Sequence, residues 1–321
     1  MTKIEGIKKE NLEKSIIKTL VFFDLFNQPL SLFEIYKYLN IKSNLFDIFA
    51  CLKNMGSGVK SKNGFYCLQD REELIIERFK KYNYFKRKIK RAIFFSKLIS
   101  FFPFVRGVAV SNVIADHNLR DESDIDLFII SSKNRIWLTR FFCTSLAKLL
   151  SLRPNKKTKK DKICLSFYVS ENNLNLEKYL YNEDDYYFIY WIAGLEVLVN
   201  KNGVFENFFL ENSWVKRYLP NFSFFAASAP VFCSGATKDG KTGAQSFASP
   251  DSGFCENDNS GGGCLENFFK KIQLKIMPKD LKNKNSDFGG VVLRDNIIKL
   301  FLDDKRPEFI SKFKERLNKY I

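Results

Sequence analysis

The feature that most constrains the fold is the segment from Val108 to Ile130, in which two apolar runs flank a polar, turn-rich loop. Each run is shorter than a typical helix, and this length with flanking turn residues predicts a pair of buried strands. The second strand starts with Asp124 and Asp126, which are separated by one residue. Because alternate residues of a strand point to the same side, the two carboxylates are expected to share one face.

Two carboxylates this close disfavour joint ionisation unless a cation lies between them. Mg²⁺ is the natural partner, because it is commonly held by one or two carboxylates together with substrate phosphates. Asp124 and Asp126 are therefore the predicted metal ligands, for one or two Mg²⁺ ions. The alternative is a strand-start turn with polar caps, to which Ser123 adds a further polar group.

Residues 104–182 are predicted to form a small mixed sheet with flanking helices, an α+β fold. A strand precedes the turn-rich loop and a second strand follows it. The segment "NRIWLTRFFCTSLAKLLSL" then has the apolar spacing of an amphipathic helix. "ICLSFYVSE" alternates like a third strand. The resulting order is strand, strand, helix, strand.

Residues 1–75 are predicted to contain three short helices and a hairpin, in the layout of a winged helix. Ser31 is a plausible N-cap of the second helix with Glu34 three residues later, and Asn63-Gly64 is a strong hairpin turn. In winged-helix domains that bind DNA, the third helix contacts the bases in the major groove. Its polar residues carry little positive charge, so DNA binding and a protein-contact module both stay open; they are Asn44, Asp47, Lys53 and Asn54.

The rest of the chain divides by composition. Residues 76–103 are predicted to form a basic connector helix; positions 78–97 hold nine Lys or Arg, no acid and interleaved aromatic residues. This pattern is typical of nucleic-acid surfaces and also of a solvated connector. Residues 183–225 are predicted to be helical, 226–264 to be a disordered linker rich in Gly, Ser and Ala, and 265–321 to be a helical C-terminal segment.

The net charge and the cysteine content limit which partners and which cellular compartment can be expected. A net charge of +16 favours phosphate-bearing partners, although a compositional drift toward Lys would give the same value. Seven Cys without a C-x-x-C pair and a single His argue against a zinc site and predict a reducing cytoplasm. The most apolar segment, "AIFFSKLISFFPFV", is interrupted by Lys97 and Pro103, so no membrane span is expected.

The stretch "SDIDLFII", preceded by the strand "VRGVAV", resembles the nucleotidyltransferase superfamily that includes DNA polymerase beta. The family pattern is a strand, Gly-Ser, a short helix, then an acidic D-x-D motif and an apolar run. The order of the predicted regions, a winged-helix-like region, then the nucleotidyltransferase-like core, then a helical C-terminal part, looks like that of a group of uncharacterised bacterial proteins. The resemblance implies Mg²⁺-dependent transfer of a nucleoside monophosphate from a nucleoside triphosphate to an acceptor, a nucleic acid or a protein. Asp124 and Asp126 would hold the metal.

The chain departs from this family pattern at two points. Asn112-Val113 stands where the family has Gly-Ser, so the predicted nucleotide-binding residues are Ser111, Asn112 and Ser123. The family's third carboxylate is expected on "ICLSFYVSE", where Ser166 occupies the expected position and Glu171 lies at the far end. Two hypotheses follow: an active nucleotidyltransferase, or a catalytically inactive nucleotide- or partner-binding module with a winged-helix domain that could bind nucleic acid.

Overall fold

The computed structural model describes residues 3–111, 120–155, 158–223, 262–286 and 289–321. Ten α-helices lie in these ranges: α1 (Lys3–Asp24), α2 (Leu32–Tyr38), α3 (Leu45–Asn54), α4 (Glu73–Ser100), α5 (Ile136–Leu149), α6 (Tyr186–Ala193), α7 (Val204–Glu211), α8 (Gly262–Ile276), α9 (Lys279–Asn283) and α10 (Arg306–Leu317). None of the helices in these ranges combines the length and the apolarity needed to cross a bilayer.

The same ranges contain nine β-strands. They are β1 (Leu30–Ser31), β2 (Val59–Lys62), β3 (Phe65–Leu68), β4 (Val105–Val110), β5 (Ile125–Ser131), β6 (Ile163–Ser170), β7 (Glu196–Asn200), β8 (Val291–Leu293) and β9 (Ile297–Leu300). Two predictions fall outside the described residues. Asn112 and Val113 lie there, as does most of the predicted linker, residues 226–261.

The N-terminal elements follow the predicted order of three helices and a hairpin. Ser31 caps α2 in a capping box, because its side chain accepts from the Glu34 backbone N–H while the Glu34 carboxylate accepts from Ser31 N–H. Asn63 and Gly64 have positive φ angles of 53° and 79°, as the predicted hairpin turn requires. β1 adds to this hairpin, so that a three-stranded sheet of order β1-β3-β2 results.

The central sheet has six strands in the order β7-β4-β5-β6-β9-β8. β5 and β6 are parallel and are connected through α5, whereas the other neighbouring strands are antiparallel. The predicted α+β class and the strand, strand, helix, strand order are therefore confirmed. The predicted connector helix is also present as α4, which begins slightly earlier than expected, at Glu73.

Two predicted helical regions contain strands. β7 lies within the predicted helical region 183–225, and β8 and β9 lie within the predicted helical C-terminal segment 265–321, so both predictions are wrong at these points. Gly194 ends α6 just before the β-branched run of β7. β8 and β9 are short strands that are recognised by their pairing: β8 pairs with β9, and β9 pairs with β6. Such pairing is a tertiary effect that local pattern does not reveal.

Both faces of the central sheet are buried, which explains the unbroken apolar run of β5. Phe128 and Ile130 point to the face covered by the N-terminal helices, α6 and α7. Leu127 and Ile129 point to the opposite face, where α4 and α5 pack. On the first face, Phe22 and Phe23 of α1 contact the ring of Tyr190 of α6. The N-terminal helices and the sheet thus share one hydrophobic core.

Candidate functional site

The two predicted metal ligands lie at the N-terminal end of β5, between two neighbouring strands. Asp124 directly precedes the strand and Asp126 is its second residue. Ser111 follows β4 and is buried beside them: its backbone N–H donates to the Asp126 carbonyl oxygen at 2.9 Å. Its hydroxyl reaches the same oxygen at 3.4 Å, so Ser111 is engaged by the strand backbone. The Ser123 hydroxyl donates to the Arg120 carbonyl oxygen at 3.0 Å.

The third member of the acidic cluster is a thiol. Cys164 of β6 is the register partner of Asp126, and single ligand atoms of Asp124, Asp126 and Cys164 all lie within 4.8 Å of one another. Burial, and then the charge of Asp126, raises the pKa of the Cys164 thiol well above its ordinary value. The Asp126 carboxylate is thus close enough to favour the neutral thiol. No other group of three metal-ligating side chains occurs among the described residues.

The positions predicted for a third carboxylate are filled differently. The Ser166 hydroxyl lies 3.5 Å from Cys164 Sγ, so Ser166 is a neighbour of the cluster and Cys164 is the residue that faces the aspartates. Glu171 lies at the other end of β6, where it accepts from Lys133 N–H at 3.0 Å and approaches Arg106 at 3.6 Å. The parallel register pairs Asp126 with Cys164, two residues before Ser166, and shifts by one residue before Phe128 pairs with Phe167.

The loop that places Asp124 is fixed by the basic helix α4. Lys88 is fully buried and its ammonium contacts Asp161 at 2.8 Å as well as the carbonyl oxygens of Asp121 and Ser123. Arg87 pairs with Asp161 at 2.8 Å and also with Asp121. Burial opposes ionisation of Asp161, but hydrogen bonds from Arg87 and Lys88 outweigh it, so the pKa of Asp161 lies below its ordinary value. Lys88 and Arg87 of α4 therefore form ion pairs with acidic residues of the protein itself.

A cavity of about 340 Å³ opens beside the aspartates. Seven of its sixteen lining residues are aromatic, and the polar and charged ones come from the loop before β5, the start of β5, β9 and the segment that leads into α10. The aromatic side chains are Phe26, Phe167, Tyr187, Phe188, Trp191, Phe301 and Phe309; the polar and charged ones are Arg120, Ser123, Asp124, Asp126, Lys299, Asp303, Asp304, Lys305 and Arg306. A concave pocket lined by aromatic side chains and convergent polar groups is typical of a small-molecule site.

The side of the cavity formed by the C-terminal segment carries buried positive charge. Arg306 is almost fully buried and pairs with Asp304 at 2.6 Å and Asp185 at 3.1 Å. Lys299 is only 4% exposed. Burial, and then the charge of Arg306, lowers the pKa of Lys299 to about 8. The cavity therefore has a carboxylate pair in one wall and ammonium and guanidinium groups in another.

The third helix of the N-terminal region exposes apolar side chains. Leu45, Phe46 and Phe49 of α3 are all exposed, Phe46 to 78%. The exposed face has few cations, although Lys53 lies 4.5 Å from the Phe49 ring centroid. Such a surface matches a protein contact better than the phosphate backbone of DNA.

Comparisons of the chain with protein-family models, curated proteins and solved structures found no match. Sequence patterns identified the aspartates but missed the other walls of the cavity. Lys299 and Arg306 lie in the segment 265–321, for which the sequence predicts helices alone. The aromatic residues of α6 belong to no recognisable motif. The one available signal was the charged run "DDKR", residues 303–306, directly after an apolar strand.

Proposed function

We propose that this chain is a nucleotidyltransferase-like protein that binds a nucleoside triphosphate in the cavity beside Asp124 and Asp126. The observation that carries the proposal is the combination of a carboxylate pair, an aromatic wall and buried cations around one cavity. A nucleoside triphosphate has matching parts, because it joins an aromatic base to a chain of phosphates. Its base would contact the aromatic part of the cavity lining, as bases do on aromatic platforms.

The donor set fits Mg²⁺ at the two aspartates. Carboxylate oxygens completed by water and substrate phosphates are the ligands that Mg²⁺ prefers. Mg²⁺ would supply charge neutralisation at the reacting phosphorus. The chain itself would orient the triphosphate against the rigid start of β5, which Lys88 and Asp161 fix, and would exclude water with the aromatic wall. Positioning and charge account for most of the catalysis in phosphoryl transfer.

The test uses Mg²⁺ and each labelled nucleoside triphosphate, with and without nucleic-acid or protein acceptors. We expect Asp126→Asn to weaken Mg²⁺-dependent nucleotide binding at least about tenfold and to remove pyrophosphate release. Glu122→Gln is the matched control, because Glu122 is an exposed carboxylate of the same loop whose side chain pairs with exposed Lys160. If the wild type neither releases pyrophosphate nor binds nucleotide in the presence of Mg²⁺, the proposal is overturned.

A second candidate function, nucleotide or partner binding without turnover, is favoured by Cys164. A neutral thiol is a poor metal ligand, and even the thiolate suits soft metals better than Mg²⁺. We expect Cys164→Asp to increase Mg²⁺ affinity about tenfold, the gain typical of one additional charge-assisted contact. Three neighbouring carboxylates also repel one another. The Tm of this variant should therefore fall without Mg²⁺ and rise with added Mg²⁺ more than that of the wild type.

Cys164→Ser is the control for this substitution, since it removes the thiol without adding a charge. Equal Mg²⁺ responses in Cys164→Asp, Cys164→Ser and the wild type would contradict a metal site at this cluster. If Cys164→Asp gains pyrophosphate release that the wild type lacks, the native chain is the binding module.

The N-terminal region is proposed to be a winged-helix-like module that contacts a protein. Support comes from the three helices, the β2–β3 hairpin and the exposed apolar face of α3. Several cations of α4 are engaged by Asp161, Asp121 and Glu34, which reduces the positive surface open to nucleic acid.

A further inference from the structure

Lys299 is a buried cation of the cavity that forms no ion pair with an acid in the part of the chain that the structure describes. It lies on β9 opposite Phe167 of β6 and shares a sheet face with Ile297, two residues earlier. Within the described ranges it forms no ion pair, and its ammonium donates one hydrogen bond, to the Gly289 carbonyl oxygen at 3.3 Å. A charge removed from water in this way is strongly unfavourable unless a counter-charge compensates it.

The carboxylates of Asp304 and Asp185 offset the charge of Lys299 only in part, because both are paired with Arg306. Asp304 accepts from the Arg306 guanidinium through both oxygens, and Asp185 accepts from it at 3.1 Å. The rings of Phe188 and Phe301 lie 6.0 and 5.8 Å from the Lys299 ammonium, near the outer limit of a cation–π contact. The arrangement thus leaves an ammonium with spare donors facing a cavity.

We propose that Lys299 is an anion-binding residue that holds a phosphate group in this cavity. The pKa of about 8 keeps most of the ammonium charged at neutral pH, and a bound phosphate would supply the missing counter-charge. That this phosphate belongs to a nucleoside triphosphate rests on the proposed function; the anion site itself does not. Lys299 and the aspartates would then contact the same ligand from different walls.

The test is calorimetric titration of the full chain with inorganic pyrophosphate in the presence of a metal chelator. We expect Lys299→Met to weaken pyrophosphate binding about tenfold or more, because a charge-assisted hydrogen bond is lost. Lys299→Arg should retain part of the affinity. Lys312→Met is the control, since Lys312 is an exposed cation of α10 that pairs with Glu308. Asp126→Asn should bind metal-free pyrophosphate at least as well as the wild type.

Thermal unfolding provides a second readout that does not depend on titration. Methionine has a similar volume without the buried charge, so ligand-free Lys299→Met should have a Tm equal to or above that of the wild type. Its gain in Tm on adding pyrophosphate should be smaller. The proposal is overturned if the wild type does not bind pyrophosphate, or if Lys299→Met binds it equally well.

These outcomes separate the two proposals. Metal-free pyrophosphate binding that requires Lys299, without Mg²⁺-dependent nucleotide binding, would support the anion site and overturn the proposed function. Mg²⁺-dependent nucleotide binding whose affinity is unchanged in Lys299→Met would support the proposed function and overturn the anion site at Lys299.

Discussion

Asp161→Ala is expected to lower the free energy of unfolding by about 3–5 kcal/mol, the range for removing one partner of a buried ion pair. The reason is that Lys88 is fully buried and Asp161 is its counter-charge at 2.8 Å. The substitution would leave the ammonium with only the carbonyl oxygens of Asp121 and Ser123. Denaturant unfolding measures the change.

The pH dependence of this loss follows from the pKa of Asp161. Because that pKa is lowered in the folded state, the carboxylate stabilises the protein above its unfolded pKa, and this contribution is lost as pH falls through the folded value. The stability difference between the wild type and Asp161→Ala should therefore be constant near neutral pH and shrink below about pH 4.

Asp121→Ala is the matched control within the same network. Asp121 pairs with Arg87 and Lys160, whose side chains are both 43% exposed, so its removal should change stability by less than about 1 kcal/mol. A loss equal to that of Asp161→Ala would show that burial of Lys88 is not the cause. Lys88→Met combined with Asp161→Asn should recover part of the stability, because the pair's charges are then gone and Asn tolerates the positive φ of 58° at this position.

The part of the site that local pattern predicted is the part formed by consecutive residues. Asp124 and Asp126 share a face because of the two-residue period of β5, and the apolar run after them is buried because helices cover both sheet faces. Helix starts such as that at Ser31 were also predictable, since the capping box lies within four residues. Local chemistry decides these features.

The remainder of the cavity depends on contacts between distant segments. Cys164 faces Asp126 because β5 pairs with β6, and Lys299 reaches the cavity because β9 pairs with β6 across more than a hundred residues of sequence. A single lysine in a chain with 52 Lys and Arg carries no individual signal. Its burial without an acid partner becomes visible only when the packing is known.

The C-terminal segment completes the cavity through one buried ion pair. Arg306 opens α10, and Asp185 caps α6, which carries the aromatic residues Tyr187, Phe188 and Trp191. The contact between Arg306 and Asp185 therefore joins two walls of the cavity. Its loss should disturb both stability and pyrophosphate binding, whereas a local change in either helix would affect one wall.

Asp185→Ala is expected to lower the free energy of unfolding by about 3–5 kcal/mol. The fully buried carboxylate accepts from the backbone N–H groups of Phe188 and Tyr181 and from Arg306, so alanine removes a helix cap and a counter-charge together. Asp184→Ala should cost less than about 1 kcal/mol, because the side chain of this neighbouring acid is about half exposed and pairs with exposed Lys314. Asp185→Asn keeps the cap and should recover part of the loss in denaturant unfolding. Equal stabilities of the Asp184 and Asp185 variants would mean that the buried pair does not hold the C-terminal segment in place.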